Sequence, residues 1–239
     1  MTTKPTSVPD GRDERWAAHR EERRAQILDA AIAVIERTPD GEEIHVRQIA
    51  QEAGLGRAVV YRHFADRADL DRAVQRRILE LLMAELVPAF ELSGSIETII
   101  ERIVRAYVAW ADEHPALHRI GTAESQDSER LNNVLQTTQQ IGDLITSLVT
   151  TGAVLLDVDL SDEDRDLLEP LVFGIVGQAV GTVRFWLSRE KRAPSVDVLA
   201  VHLARSVWFQ IDGHARDRGV TLDPQASLDE LIAGPRKSE

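Results

Sequence analysis

The 239-residue chain carries 28 Lys/Arg against 40 Asp/Glu, a net charge of −12, with 43% hydrophobic residues and no cysteine. The lack of cysteine excludes disulfide frameworks, thiolate zinc sites and cysteine nucleophiles, and suits a reducing interior, so a cytoplasmic location is expected. The opening residues have no apolar core of a signal peptide, and the most apolar stretch, 171–187, is short and interrupted by Gln178 and Arg184, so no membrane partner is expected.

The charge is unevenly spread. Residues 1–80 hold 14 basic and 15 acidic side chains, whereas residues 81–239 hold 14 and 25. A polyanionic partner is therefore compatible only with the N-terminal part, where arginines can still gather on one face.

Residues 1–15 mix Pro, Thr, Ser, Asp and Gly without periodicity and read as a flexible arm, whose Lys4 and Arg12 are candidates for touching a polyanion. From Trp16 the pattern is helical: Ile27, Ala30, Ala31, Val34 and Ile35 recur on one face, with Glu21, Glu22, Arg23 and Arg24 on the others. Thr38-Pro39-Asp40-Gly41 ends this first helix. A second, short helix places Val46, Ile49, Ala50 and Ala53 inward and Arg47, Gln48 and Gln51 outward, and Gly54 stops it. A third is predicted over Arg57 to His63, and so few residues separate the two that a helix-turn-helix follows.

Asp66 is a plausible cap for a long fourth helix running through Leu70, Val74, Ile78 and Leu82 to Pro88. Further helices are predicted at 95–113, from Pro115, and at 125–151, 161–192 and 195–218. No stretch alternates long enough for a sheet, so the expected fold class is all-α. The domains read as an arm (1–15), a helix-turn-helix head (16–65), a larger helical domain (66–219) and a tail (220–239).

The segment from Ile49 to Phe64, with its Ile49-Ala50 helix, Ala53-Gly54 turn and Tyr61-Arg62-His63-Phe64 exit, resembles the tetracycline-repressor family signature. The likeness extends back to Ile27, Ala30 and Ala31 and forward to Leu70. It implies that the third helix enters a DNA major groove. Residues Arg57, Ala58, Val59, Tyr61 and Arg62 face outward on it, and arginine can donate bidentately to guanine while Ala or Val touches a thymine methyl. By the resemblance Tyr61, His63 and Arg67 contact phosphates, and base choice falls to Arg57, Ala58 and Arg47. His45 stands where the family commonly has a Ser or Thr cap, which leaves the start of the second helix uncertain.

The resemblance also implies a homodimer on a palindromic operator, with the last two long helices as interface. Leu171, Gly174, Ile175, Gln178, Gly181, Phe185, Trp186, Leu199, Leu203, Val207 and Trp208 match by position. Gly174, Gly177 and Gly181 lack the spacing and the preceding strand of a nucleotide loop and read as sites of close helix packing. The middle helices would enclose a small-molecule effector, with candidates Tyr107, Trp110, His114, Leu117, His118 and Phe173. His114 and His118 lie four apart, but Pro115 disrupts a shared helical face, so no metal and no cofactor are expected. The expected function is a ligand-released repressor; the alternatives are an activator or effector-independent regulator, or an enzyme using the same pocket, for which no catalytic constellation is visible.

Overall fold

The computed structural model describes residues 11–39, 41–123, 127–155 and 158–227. Where apolar residues recur every three to four positions, helices form: α1 (Gly11–Arg37), α2 (Val46–Glu52), α3 (Arg57–His63), α4 (Arg67–Leu86), a 3-10 turn (Val87–Phe90), α5 (Ile96–Glu113), α6 (Pro115–Gly121), α7 (Ser128–Leu155), α8 (Asp162–Leu187) and α9 (Val196–Asp217). Among the described residues there are no strands beyond an isolated bridge between Ser95 and Ser227. The chain divides into two compact units, one ending at Arg77 and one beginning at Ile78, so the division falls inside α4.

In the first unit α1 lays Ile27, Ala31, Val34 and Ile35 against a core completed by Val46, Ile49, Ala50, Val60, Phe64 and Leu70, all buried. Gly54 takes φ 64°, and the Leu55 amide donates to the Ala50 carbonyl at 2.8 Å, closing α2 as a left-handed cap that a Cβ would strain. Asp66 accepts from the Asp69 amide at 2.7 Å and starts α4 as expected.

The second unit is built on two pairings, α9 along α5 and α7 along α8. Its core gathers Val104, Val108 and Ala111 of α5, Val172, Val176, Val183 and Trp186 of α8, and Leu199, Leu203, Val207 and Trp208 of α9. Arg105 ties the α5–α9 pair by reaching Asp197 at 2.8 Å. Ser161 caps α8 by accepting from the Asp164 amide.

Some boundaries differ from expectation. The first helix begins at Gly11 and not at Trp16. Residues 11–15 contain no apolar side chain, so periodicity has nothing to register there. Lys4 lies outside the described residues, as does Ser125, the expected start of the seventh helix. The eighth helix stops at Leu187, short of Arg192; Ser188 caps it, and the Trp186 indole donates to the Pro194 carbonyl at 2.9 Å across the following turn.

Candidate nucleic-acid interface and effector cavity

Only Val60 of α3 is fully buried; Arg57, Ala58 and Arg62 are exposed, and Val59, Tyr61 and His63 are half-buried. One side chain anchors the helix, and the opposite face stays free to enter a groove about 12 Å wide. The Arg57 guanidinium sits 5.5 Å from the centre of the Tyr61 ring, so the two residues present a cation and a phenol side by side.

Two residues of α1 fix the helix-turn-helix in place, Arg24 at the end of α3 and Gln26 at the end of α2. Arg24 donates to the His63 carbonyl at 2.9 Å and lies 4.3 Å over the Phe64 ring, and Gln26 donates to the Ala53 carbonyl at 2.8 Å. The α3 carbonyls are the negative end of its dipole, which is where an arginine is favoured. In the sequence Arg23 and Arg24 read as solvated charges on the outer faces of α1, and nothing marks Arg20. Only the fold shows that these three residues and Arg62 converge on His63.

Burial depresses the His63 pKa, and Arg62, Arg24, Arg20 and Arg23 push it further the same way. Its Nδ1 is buried with no partner among the described residues. The imidazole is thus biased toward its neutral form by the surrounding positive field, which an anion such as a phosphate oxygen would relieve.

Arg47 and His45 are exposed on and just before α2. The doubtful start at His45 is resolved by Gln48, whose side chain accepts from the His45 amide at 2.7 Å. Arg67 has a different setting from the one expected: its guanidinium holds Asp71 at 2.8 Å and donates to the Ile44 carbonyl at 2.7 Å. It braces the start of α4 against the approach to α2.

In the second unit a cavity of about 470 Å³ opens among α4, α5, α7, α8 and α9. Ile99, Ile103, Ile141, Val149, Leu168 and Val176 represent its wall, none of which sequence reasoning singled out as lining residues. Of the six effector candidates, Tyr107 and Phe173 line it. Trp110, His114, Leu117 and His118 do not, because they turn toward the α5–α6 junction. There the Tyr107 hydroxyl meets His118 Nε2 at 2.8 Å, with both rings buried. Burial pushes the Tyr107 phenol up, and burial with the Arg184 charge pushes His118 down to about 4. No group of three or more potential metal ligands occurs among the described residues.

The expected interface residues do not share one setting. Trp186, Leu199, Leu203, Val207 and Trp208 belong to the protomer's own core, and Leu171 and Ile175 line the cavity. Gly174, Gly181 and Phe185 face outward, joined by Phe209 on α9 and by Phe173 and Gly177 of α8, which border the cavity as well, and Phe173, Phe185 and Phe209 are 55%, 67% and 60% exposed. Gln178 joins the two helices within the protomer through Ser206 at 2.9 Å and Gln210 at 2.6 Å. The glycines do not serve close packing within the chain: a Cβ at 174, 177 or 181 would meet no atom within 4 Å. By length and composition α8 is, among the described residues, the one helix that could cross a membrane. It opens with Asp162, Glu163 and Asp164 and buries Val172, Val176, Val183 and Trp186 within the unit.

Comparison with known proteins agrees with this architecture. The family model described as bacterial regulatory proteins of the tetR family matches residues 27–74. An uncharacterised HTH-type transcriptional regulator of Mycobacterium tuberculosis is 28% identical over 211 residues, covering 87% of this chain and 85% of the relative. A tetR-family transcriptional regulator from Streptomyces coelicolor shares the fold with a TM-score of 0.64 at 20% identity, over 88% of this chain and 89% of that one. The regulator FadR from Bacillus subtilis, solved in complex with stearoyl-CoA, shares it at 0.59 and 15% identity, over 76% and 95%. The head with its exposed α3, the segment matched by the family model and the near full-length relative together make this chain similar to the TetR-like DNA-binding transcriptional regulators, with the family's helix-turn-helix over residues 27–74.

Proposed function

We propose that the protein is a ligand-responsive repressor which binds a palindromic operator as a homodimer and is released when a small molecule fills the cavity of the second unit. The observation that carries the reading is the pairing of an exposed Arg57–Tyr61 face on a firmly anchored helix with a separate apolar cavity. Base selection is assigned to Arg57, Ala58, Val59 and Arg47, and phosphate contacts to Tyr61, Arg62 and His63, with Arg20 and Arg23 added by the fold; phosphate contacts orient, and groove contacts specify.

Dimerisation is assigned to the outward face of α8 and α9. A glycine inside an exposed helix costs about 1 kcal/mol relative to alanine. Gly174, Gly177 and Gly181 recover nothing for this within the protomer, and a second copy approaching closely beside Phe173 and Phe185 would supply the missing contact. That a protein of the same fold was solved with stearoyl-CoA supports an effector in this unit. Since α4 supplies Leu79, Leu82 and Leu86 to the cavity wall and its first turns to the head, it is the covalent element through which occupancy would bias the head.

The test is operator binding measured by fluorescence anisotropy on DNA from the gene's own neighbourhood. Arg57→Ala with Tyr61→Ala should weaken binding by about a hundredfold, from about 1–3 kcal/mol per lost base or phosphate contact, with unchanged helicity. Binding that survives the double substitution would overturn the assignment of α3.

A further inference from the structure

The polar groups on the cavity wall are few, and most are already engaged by the protein itself. The Tyr107 hydroxyl is taken by His118. Thr122 donates to the His118 carbonyl at 2.8 Å and Thr138 to the Val134 carbonyl at 2.9 Å. Thr137 also lines the cavity, one position from Thr138, yet its hydroxyl has no partner among the described residues. At the rim Asp164 pairs with Arg218, which also donates to the His214 carbonyl at 3.2 Å.

That rim discourages ions of either sign from entering. Asp162, Glu163 and Asp166 flank Asp164 at the start of α8, so an anionic head group would have to compete with Asp164 for Arg218 amid further carboxylates. An ammonium drawn to the same carboxylates would have to leave them for a wall whose acceptors are few, the Thr137 hydroxyl and the His214 ring among them, and a charge so sparsely solvated is strongly disfavoured. The wall is continued by Val220 and Leu222, beyond α9. The chain there is tied back onto the start of α5, where the Glu97 amide donates to the Pro224 carbonyl at 3.4 Å and Gln225 donates to the Glu97 carboxylate at 2.7 Å.

We infer that the effector is an uncharged, hydrocarbon-rich molecule carrying one hydrogen-bonding group, which Thr137 receives. This deepens the reading of the cavity as the effector site and rests on it. A volume of about 470 Å³ lies within the range of roughly 300–1,000 Å³ usual for small-molecule sites. In a wall of this chemistry, affinity comes from methylene burial and selectivity from what the wall cannot solvate.

The experiment is calorimetric titration of the full-length protein, free of DNA, with the straight-chain primary alcohols octanol, nonanol and decanol, and with decanoate and decylammonium as ionised counterparts. Each added methylene should tighten alcohol binding about fourfold. Decanoate and decylammonium should each bind about tenfold or more weakly than decanol. Thr137→Val should weaken decanol binding about fivefold, the worth of one hydrogen bond, with unchanged thermal stability. Ile141→Trp, which fills the cavity, should abolish binding.

If either ion binds as tightly as decanol, if affinity is independent of chain length, or if no alcohol binds, the inference is overturned. If Thr137→Val leaves decanol affinity unchanged, the assignment of Thr137 falls. Should decanol bind as described while operator affinity stays unchanged, the ligand class of the cavity stands and the release mechanism proposed above is what fails.

Discussion

At the scale of single residues, the Tyr107–His118 pair is the most sharply defined polar feature of the second unit, a ring-to-hydroxyl bond of 2.8 Å with His118 only 1% exposed. The pKa of His118 lies near 4 in the folded chain, against an ordinary value of about 6.5 when unfolded. The folded state therefore holds the neutral ring. Stability from this site is complete above about pH 6.5 and declines as the pH falls toward about 4, because the unfolded chain takes up a proton that the folded one refuses. The full loss is on the order of 3 kcal/mol. Urea denaturation across that window should show the decline, and His118→Gln should flatten it; a wild-type profile that is already flat there would refute the account. Replacing Tyr107 with Phe leaves the buried imidazole nitrogen unpaired and should cost about 1–3 kcal/mol in the same assay.

At the scale of elements, small geometric facts decide where helices start and how closely they approach. Gln48 closes α2 by reaching back to the His45 amide, so Gln48→Ala should destabilise the head by about 1 kcal/mol, visible as a lower urea midpoint with unchanged slope. A Cβ on Gly121 would come within 3.0 Å of Ile78 and 3.6 Å of Leu79. Gly121→Val should therefore cost about 1–3 kcal/mol through overpacking. The helices themselves were legible in the sequence because their buried faces repeat with helical period, and Gly54 and Asp66 mark their ends. The first turns of α1 were not, since residues 11–15 carry charge and no apolar side chain. Gly174, Gly177 and Gly181 were recognised as small residues on one face, but periodicity cannot tell a face against the protein's own core from one that looks outward. The recognition helix was readable for a related reason: its signature is local, a turn and an exit within sixteen residues. The arginine cluster around His63 and the cavity wall are not local. They join α1 to α3 and α4 to α9, and only tertiary packing brings those residues together.

For the whole molecule, a net charge of −12 and a DNA partner coexist because residues 1–80 are nearly neutral and four of their arginines, Arg20, Arg23, Arg24 and Arg62, are gathered around His63 at the end of α3. On the proposed reading, two heads on one operator supply together what a single short helix on a nearly neutral head does not. The outward face of α8 and α9 should be where the copies meet. Phe185→Glu combined with Phe209→Glu places carboxylates on side chains that are 67% and 60% exposed in the protomer, so the fold itself should be unaffected. Sedimentation equilibrium should then report a monomer where the parent chain is a dimer. Each phosphate contact contributes about 0.9 to the slope of log affinity against log salt, so a monomer using one head should show about half the parent's slope together with weaker binding. A variant that remains dimeric at micromolar concentration would place the interface elsewhere and leave the glycine stripe of α8 without the role assigned to it.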